Sequence, residues 1–70
     1  MDRYEMATII QNRRKELAIN QEDLSEMTQV TSRTIYAIER GKGNPSIETL
    51  QKILTVLGLE ISIGIKKISV

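Results

Sequence analysis

Between Gln21 and Gly41 the chain carries two short apolar-periodic stretches separated by a gap that only a tight turn can fill. Asn20 stands before the first of them as a good N-cap, and Glu22 and Asp23 fill the opening turn, where the helix dipole favours acids. Leu24 and Met27 are its inward positions, and the spacing predicts a helix over 21–28. Gln29-Val30 forms the turn, and Val30 is expected to be buried in the corner between the helices. Thr31 caps a second helix predicted over 32–40, with Ile35 and Ile38 on its inner face and Glu39 beside them. Gly41 ends it as a helix-stopping glycine. The outer start of this second helix is polar, so it can project away from the body it packs on.

The flanking sequence supplies that body. Asp2-Arg3-Tyr4-Glu5 has capping-box spacing, and Met6, Ile9, Ile10 and Leu17 recur at helical intervals, predicting a helix over 2–17. Arg14 interrupts the stripe where an apolar residue belongs. After the loop Lys42-Gly43-Asn44-Pro45, Ser46 caps a further helix to Leu57, with Ile47, Leu50, Ile53, Leu54 and Leu57 as its stripe and Gly58 at its end. The period then changes. Leu59-Glu60-Ile61-Ser62-Ile63-Gly64-Ile65-Lys66 alternates in the two-residue repeat of a strand, with β-branched residues on one face. No second strand accompanies it. A lone strand leaves both edges unpaired, so pairing with the same segment of a second copy across a twofold axis is expected. Packing of the tail on its own helices is the alternative. Residues 67–70 break the alternation and are expected to be a flexible tail.

Composition limits the chemistry. Seventy residues make one domain, and a chain of this size buries only about 60% of its unfolded surface. Cysteine and histidine are both absent, so no disulfide, zinc finger or imidazole- or thiolate-based catalysis is available and no metal or cofactor is expected. Oligomerisation is the remaining support. The net charge of +1 decides nothing by itself. The cations cluster, though, at Arg13-Arg14-Lys15 and at Arg33, Arg40 and Lys42, which suggests a surface with one basic side. No apolar run is long enough to span a bilayer, and Asp2 and Glu5 argue against a signal peptide, so a soluble, cytoplasmic protein is expected.

Arg14, Gln21, Leu24, Val30-Thr31, Ile35, Ile38-Glu39, Gly41, Asn44-Pro45-Ser46, Glu48-Thr49-Leu50 and Leu57-Gly58 together resemble the Xre/Cro/cI family of helix-turn-helix DNA-binding domains. The fold implied is mainly α: a lambda-repressor-like domain of four to five short helices over 1–58, followed here by the dimerising β-strand at 59–66. Two positions depart from the usual pattern, Gln29 where glycine is common in the turn and Ser25 where alanine is common. The resemblance implies that Ser32, Arg33, Tyr36 and Ala37 face the major groove and read bases. Of these, Arg33 is the side chain able to pair bidentately with guanine, a phosphate contact or a solvated side chain being its alternative, and Tyr36 either packs on a thymine methyl or sugar or donates to a phosphate. It further implies that Gln21, Thr31, Arg40, Lys42 and Asn44 contact the DNA backbone, and that Arg14 and Glu39 form a structural ion pair. Thr34 is either a helix-start residue or a further contact.

Nothing else in the chain forms a catalytic constellation. Glu22, Asp23 and Glu26 have the spacing of an exposed helix face, and Gly41-Lys42-Gly43 follows a helix rather than a strand and is too short for a phosphate loop. The expected function is therefore non-enzymatic: a homodimeric, sequence-specific repressor on double-stranded DNA with a palindromic operator, its dimer built by Leu59, Ile61, Ile63 and Ile65. Regulation would come from abundance, proteolysis or a partner protein, since no ligand-sensing domain is expected. The tail resembles that of HipB-like antitoxins, which implies a cognate toxin and autoregulation. A protein-interaction module that keeps the fold without binding DNA is the competing reading.

Overall fold

The computed structural model describes residues 1–64. Among the described residues there are four helices: α1 (Arg3–Glu16), α2 (Gln21–Thr28), α3 (Ser32–Glu39) and α4 (Ile47–Val56). Helices of eight to fourteen residues are marginal alone, so their ends carry unusual weight. Each begins on a side-chain cap. Asp2 accepts from Tyr4 and Glu5 amides, Asn20 from Asp23, Thr31 from Thr34 and Ser46 from Thr49. At α2 the box is reciprocal, because the Asp23 carboxylate accepts from the Asn20 amide.

Three helices end alike, with a left-handed residue and paired backbone bonds that return the chain. At α3 the amides of Gly41 and Lys42 donate to the carbonyls of Ile38 and Ala37. At α4 those of Gly58 and Leu59 donate to Thr55 and Leu54. Gly41 and Gly58 have φ of 72° and 70°. The same closure ends α1, where the left-handed position is Ala18, at φ 56°. Gly41 has a second reason to lack a side chain: a Cβ there would lie 2.6 Å from Cδ1 of Tyr4, whose ring covers the end of α3.

α1 packs on α3, and α2 packs on both α3 and α4. The core is Ile10, Leu24, Val30, Ile35, Ile38, Leu50, Ile53, Leu54 and Leu57, with Met6, Ile19, Val56 and Leu59 against it. Burying each of the large residues fully contributes about 1.5–3 kcal/mol. Several residues expected inside stay outside. Met27 is 57% exposed because the inner stripe of α2 runs through Gln21, Leu24, Ser25 and Thr28, leaving Met27 well round the helix. Ile9 is exposed because α1 turns Ala7, Ile10 and Arg14 inward. Leu17 and Ile47 lie on the correct stripes but at helix ends, where each overhangs the core.

The turn between α2 and α3 is tied by side chains. The Ser25 hydroxyl donates to the Val30 carbonyl at 2.6 Å, and the Val30 amide donates to Thr28 Oγ1 at 3.2 Å. Both polar groups of this buried residue are thereby satisfied, while Gln29 takes the left-handed conformation at φ 60°.

Beyond α4, residues 59–64 have no regular secondary structure. Leu59 is drawn into the body by its amide bond to Leu54 and by packing on the core, so it belongs to the α4 closure rather than to a free strand. Residues 60–64 are exposed, Ile63 almost completely. Ile65 and the tail 67–70 lie outside the described residues.

A left-handed alanine costs about 1–2 kcal/mol, partly offset in any glycine replacement by backbone entropy. Ala18→Gly should therefore raise the unfolding free energy by about 0.5–1 kcal/mol, read by urea denaturation followed by circular dichroism. Gly41→Ala should lower it by more than that.

Candidate nucleic-acid interface

The position of α3 depends on a buried ion pair. Arg14 and Glu39 are 9% and 7% exposed. Arg14 Nε donates to Glu39 Oε2 and Arg14 Nη2 to Glu39 Oε1, both at 2.8 Å, a parallel two-bond fork. Arg14 Nη1 donates to the Ile19 carbonyl at 2.9 Å. The hydrogen bond to Glu39 raises the Arg14 pKa above the ordinary arginine range. Burial opposes that rise and the Glu39 charge adds to it. A raised pKa on a basic group stabilises the fold at every pH below its unfolded value, so this contribution is lost only under strongly alkaline conditions.

With its inner face anchored, α3 turns Ser32, Arg33, Tyr36 and Arg40 outward, with Thr34 and Ala37 half-buried at the edge. Arg33, Thr34 and Ala37 share a shallow cavity of about 330 Å³ with Lys42, Asn44 and Pro45 of the following loop. The loop reaches this place because the closure at Gly41 folds Lys42 back onto Ala37. Tyr36 and Arg40, one helical turn apart, touch each other: Arg40 Nη1 donates to Tyr36 Oη at 3.1 Å, and the guanidinium carbon lies 5.3 Å from the ring centre.

The other expected backbone residues sit differently. Thr31 Oγ1 is used as the α3 cap and also donates to Thr34 Oγ1 at 2.9 Å. Gln21, half-buried, aims its amide nitrogen at Glu39 Oε1, 3.3 Å away, so the start of α2 is coupled to the ion pair. Tyr4 is a residue the sequence reading did not single out. Its exposed ring lies against Gly41 beside Lys42, a contact across the chain for which no local pattern gives a signal.

The basic residues divide into two sets. The cluster Arg13-Arg14-Lys15 is largely consumed by structure and forms no basic face of its own. Arg13 Nε donates to the Leu57 carbonyl at 2.9 Å, capping α4, and Arg13 Nη1 pairs with Glu16 at 3.1 Å. Arg14 is buried. By contrast, among the described residues no carboxylate lies within ion-pair distance of Arg33, Arg40 or Lys42. Of the exposed side-chain cations with no described carboxylate at ion-pair distance, Arg33, Arg40 and Lys42 gather around the outer face of α3, and the other two, Arg3 and Lys15, stand apart on α1. No group of acidic residues able to hold a metal occurs among the described residues, and no helix there is long and apolar enough to cross a membrane.

The sequence that builds this arrangement, a helix packed by one face, a tied turn and a second helix with an exposed polar face, matches the helix-turn-helix family over residues 10–63. A protein of Methanothermobacter thermautotrophicus is 44% identical over 55 residues, covering 79% of this chain and 80% of its own. One of Haemophilus influenzae is 42% identical over 50 residues, covering 71% of this chain. This chain spans only 51% of that relative's length. Both are named uncharacterized HTH-type transcriptional regulators. The chain belongs to the helix-turn-helix family, whose motif is one by which regulators of transcription bind DNA.

Removing one member of a buried ion pair leaves an uncompensated charge and costs about 3–5 kcal/mol, as much as a core this small supplies. Glu39→Ala should therefore abolish the folded helical signal at 25 °C. The paired replacement of Arg14 by Met and Glu39 by Leu should recover it, since neither charge is then left alone.

Proposed function

We propose that the protein is a sequence-specific DNA-binding repressor that acts as a homodimer on a roughly palindromic operator. The observation that carries this reading is the set of exposed, unneutralised cations Arg33, Arg40 and Lys42 around the outer face of α3, in a chain whose other arginine cluster is taken up by capping and packing. Residues at the start of such a helix reach base edges, and Ser32, Arg33 and Ala37 are assigned there. Arg33 is assigned to guanine, with its two acceptors in the groove matching the guanidinium fork. Lys42, Asn44, Arg40, Thr31 and Gln21 are assigned to phosphates, which position the helix and carry no base information. For Gln21 the amide carries two donor hydrogens, so the bond to Glu39 leaves one for a phosphate.

Two copies reading successive major grooves stand about 34–36 Å apart. The C-terminal segment supports the pairing. Ile61 and Ile63 are apolar, two residues apart and exposed, and an antiparallel ribbon with the same segment of a second copy would cover them. Leu59 is committed to its own core, so the dimer strand is assigned to Ile61, Ile63 and Ile65. Repression follows from occupying promoter DNA. The resemblance of the tail to HipB-like antitoxins supports a toxin partner and autoregulation of the operon.

Binding to a duplex from upstream of the protein's own gene, followed by fluorescence anisotropy across a salt series, tests the reading. Affinity should fall with a log–log slope near −0.9 per phosphate neutralised. Arg33→Ala should relax discrimination at one or two operator positions by about 1–3 kcal/mol, while Lys42→Ala should weaken all sequences alike and flatten the slope by about one. A flat response at low salt would exclude DNA as the ligand. Replacing Ile61 and Ile63 together by Lys should give a monomer in sedimentation with its helices intact; an unchanged dimer would exclude the strand as the interface.

A further inference from the structure

We infer that Tyr36 is a positioning residue for Arg40, and that the two act as one phosphate-gripping unit rather than as a base reader and a separate backbone contact. The inference rests on the DNA-binding reading above and reassigns Tyr36 within it. Arg40 Nη1 donates to Tyr36 Oη at 3.1 Å while its guanidinium carbon lies 5.3 Å from the ring centre. The two contacts together hold a long, otherwise free side chain along the helix face. Tyr36 is 51% exposed, so this arrangement is presented to solvent.

The chemistry of the pair selects an anion. The phenol oxygen accepts from Arg40, so its own O–H remains free to donate outward. The guanidinium has further N–H groups to donate and accepts nothing. The pair is therefore a cluster of donors with one positive charge, and no described carboxylate within ion-pair distance neutralises it. Its place in α3 selects the phosphate over the base. Arg40 lies seven residues beyond Arg33, about 10 Å along the axis at 1.5 Å per residue. The major groove is only about 12 Å wide, so with Arg33 at the base edges the far end of the helix stands at the groove rim, where the phosphates are. Tyr36, bonded to Arg40, leans toward that rim.

The test compares the unsubstituted protein with Tyr36→Phe, Arg40→Ala and the double variant, on an operator duplex, on operator duplexes with single base changes, and on a random-sequence duplex of equal length. All the substituted side chains are exposed, and far-UV circular dichroism checks that folding is unchanged. Arg40→Ala should weaken binding about tenfold on every duplex and reduce the salt slope by about one. Tyr36→Phe, which keeps the ring but removes the hydroxyl, should weaken binding several-fold on every duplex with base preference unaltered. The double variant should lose less affinity than the product of the two single losses, because each residue's contribution depends on the other. A change of base preference in Tyr36→Phe, an absence of any effect, or effects of the two single variants that multiply in the double would overturn the coupling while leaving DNA binding in place. Failure of the unsubstituted protein to bind any duplex would instead remove the DNA reading, and the inference with it.

Discussion

The Arg14–Glu39 pair joins four parts of the chain at one point. Its fork ties α1 to the C-terminal turn of α3, its third bond fixes the Ile19 carbonyl in the loop after α1, and Glu39 also receives the Gln21 amide from the start of α2. An apolar pair of similar volume would hold α1 on α3 as firmly, because desolvating two charges offsets much of their attraction. The ionic pair adds direction. Two parallel hydrogen bonds admit one orientation of the guanidinium plane, and so one rotation of α3 about its own axis. That rotation determines which residues face outward: Ser32, Arg33, Tyr36 and Arg40, the set on which the proposed DNA contact rests.

Around this point the short helices are stabilised at their ends. Four side-chain caps start them, and three closures through left-handed residues return the chain before it can fray. The ends also do positional work. The Gly41 closure delivers Lys42 and Asn44 to the flank of α3, the Gly58 closure sends Leu59 back to the core, and Arg13 bonds the α4 terminus to α1. Ser25 and Thr28 perform the same service inside the turn, holding the Val30 backbone between α2 and α3. Serine at position 25, where alanine is common in the family it resembles, thus has a visible role beside the strained Gln29.

Much of this was legible in the residues because caps and glycine stops are local signals. Asp2, Asn20, Thr31 and Ser46, with Gly41 and Gly58, mark the helices to within a residue or so. Apolar periodicity misled at Met27 and Ile9, where the inner stripes run instead through Thr28 and Ala7; small or polar residues can line a helix interface without an apolar signature. The end of α1 was invisible in kind, since Ala18 adopts by closure geometry a conformation that composition assigns to glycine. The arginine cluster at 13–15 illustrates a limit of charge counting. Its residues look like a basic patch in sequence, yet one caps a helix and another is buried. Long-range contacts, such as Tyr4 on Gly41 and Gln21 on Glu39, depend on the packing angle of helices and leave no periodic trace.

A titration of ¹⁵N-labelled protein with a short duplex, followed by amide chemical shifts, addresses the outward face of α3 residue by residue. The largest changes should fall on the amides from Thr31 through Asn44, with smaller ones near Gln21, while the amides of α1 around Ile9 and of α4 around Thr55 stay in place. Changes confined to α1, α4 or residues 60–64, with the α3 amides unmoved at saturating duplex, would contradict the assignment of that helix as the reading surface.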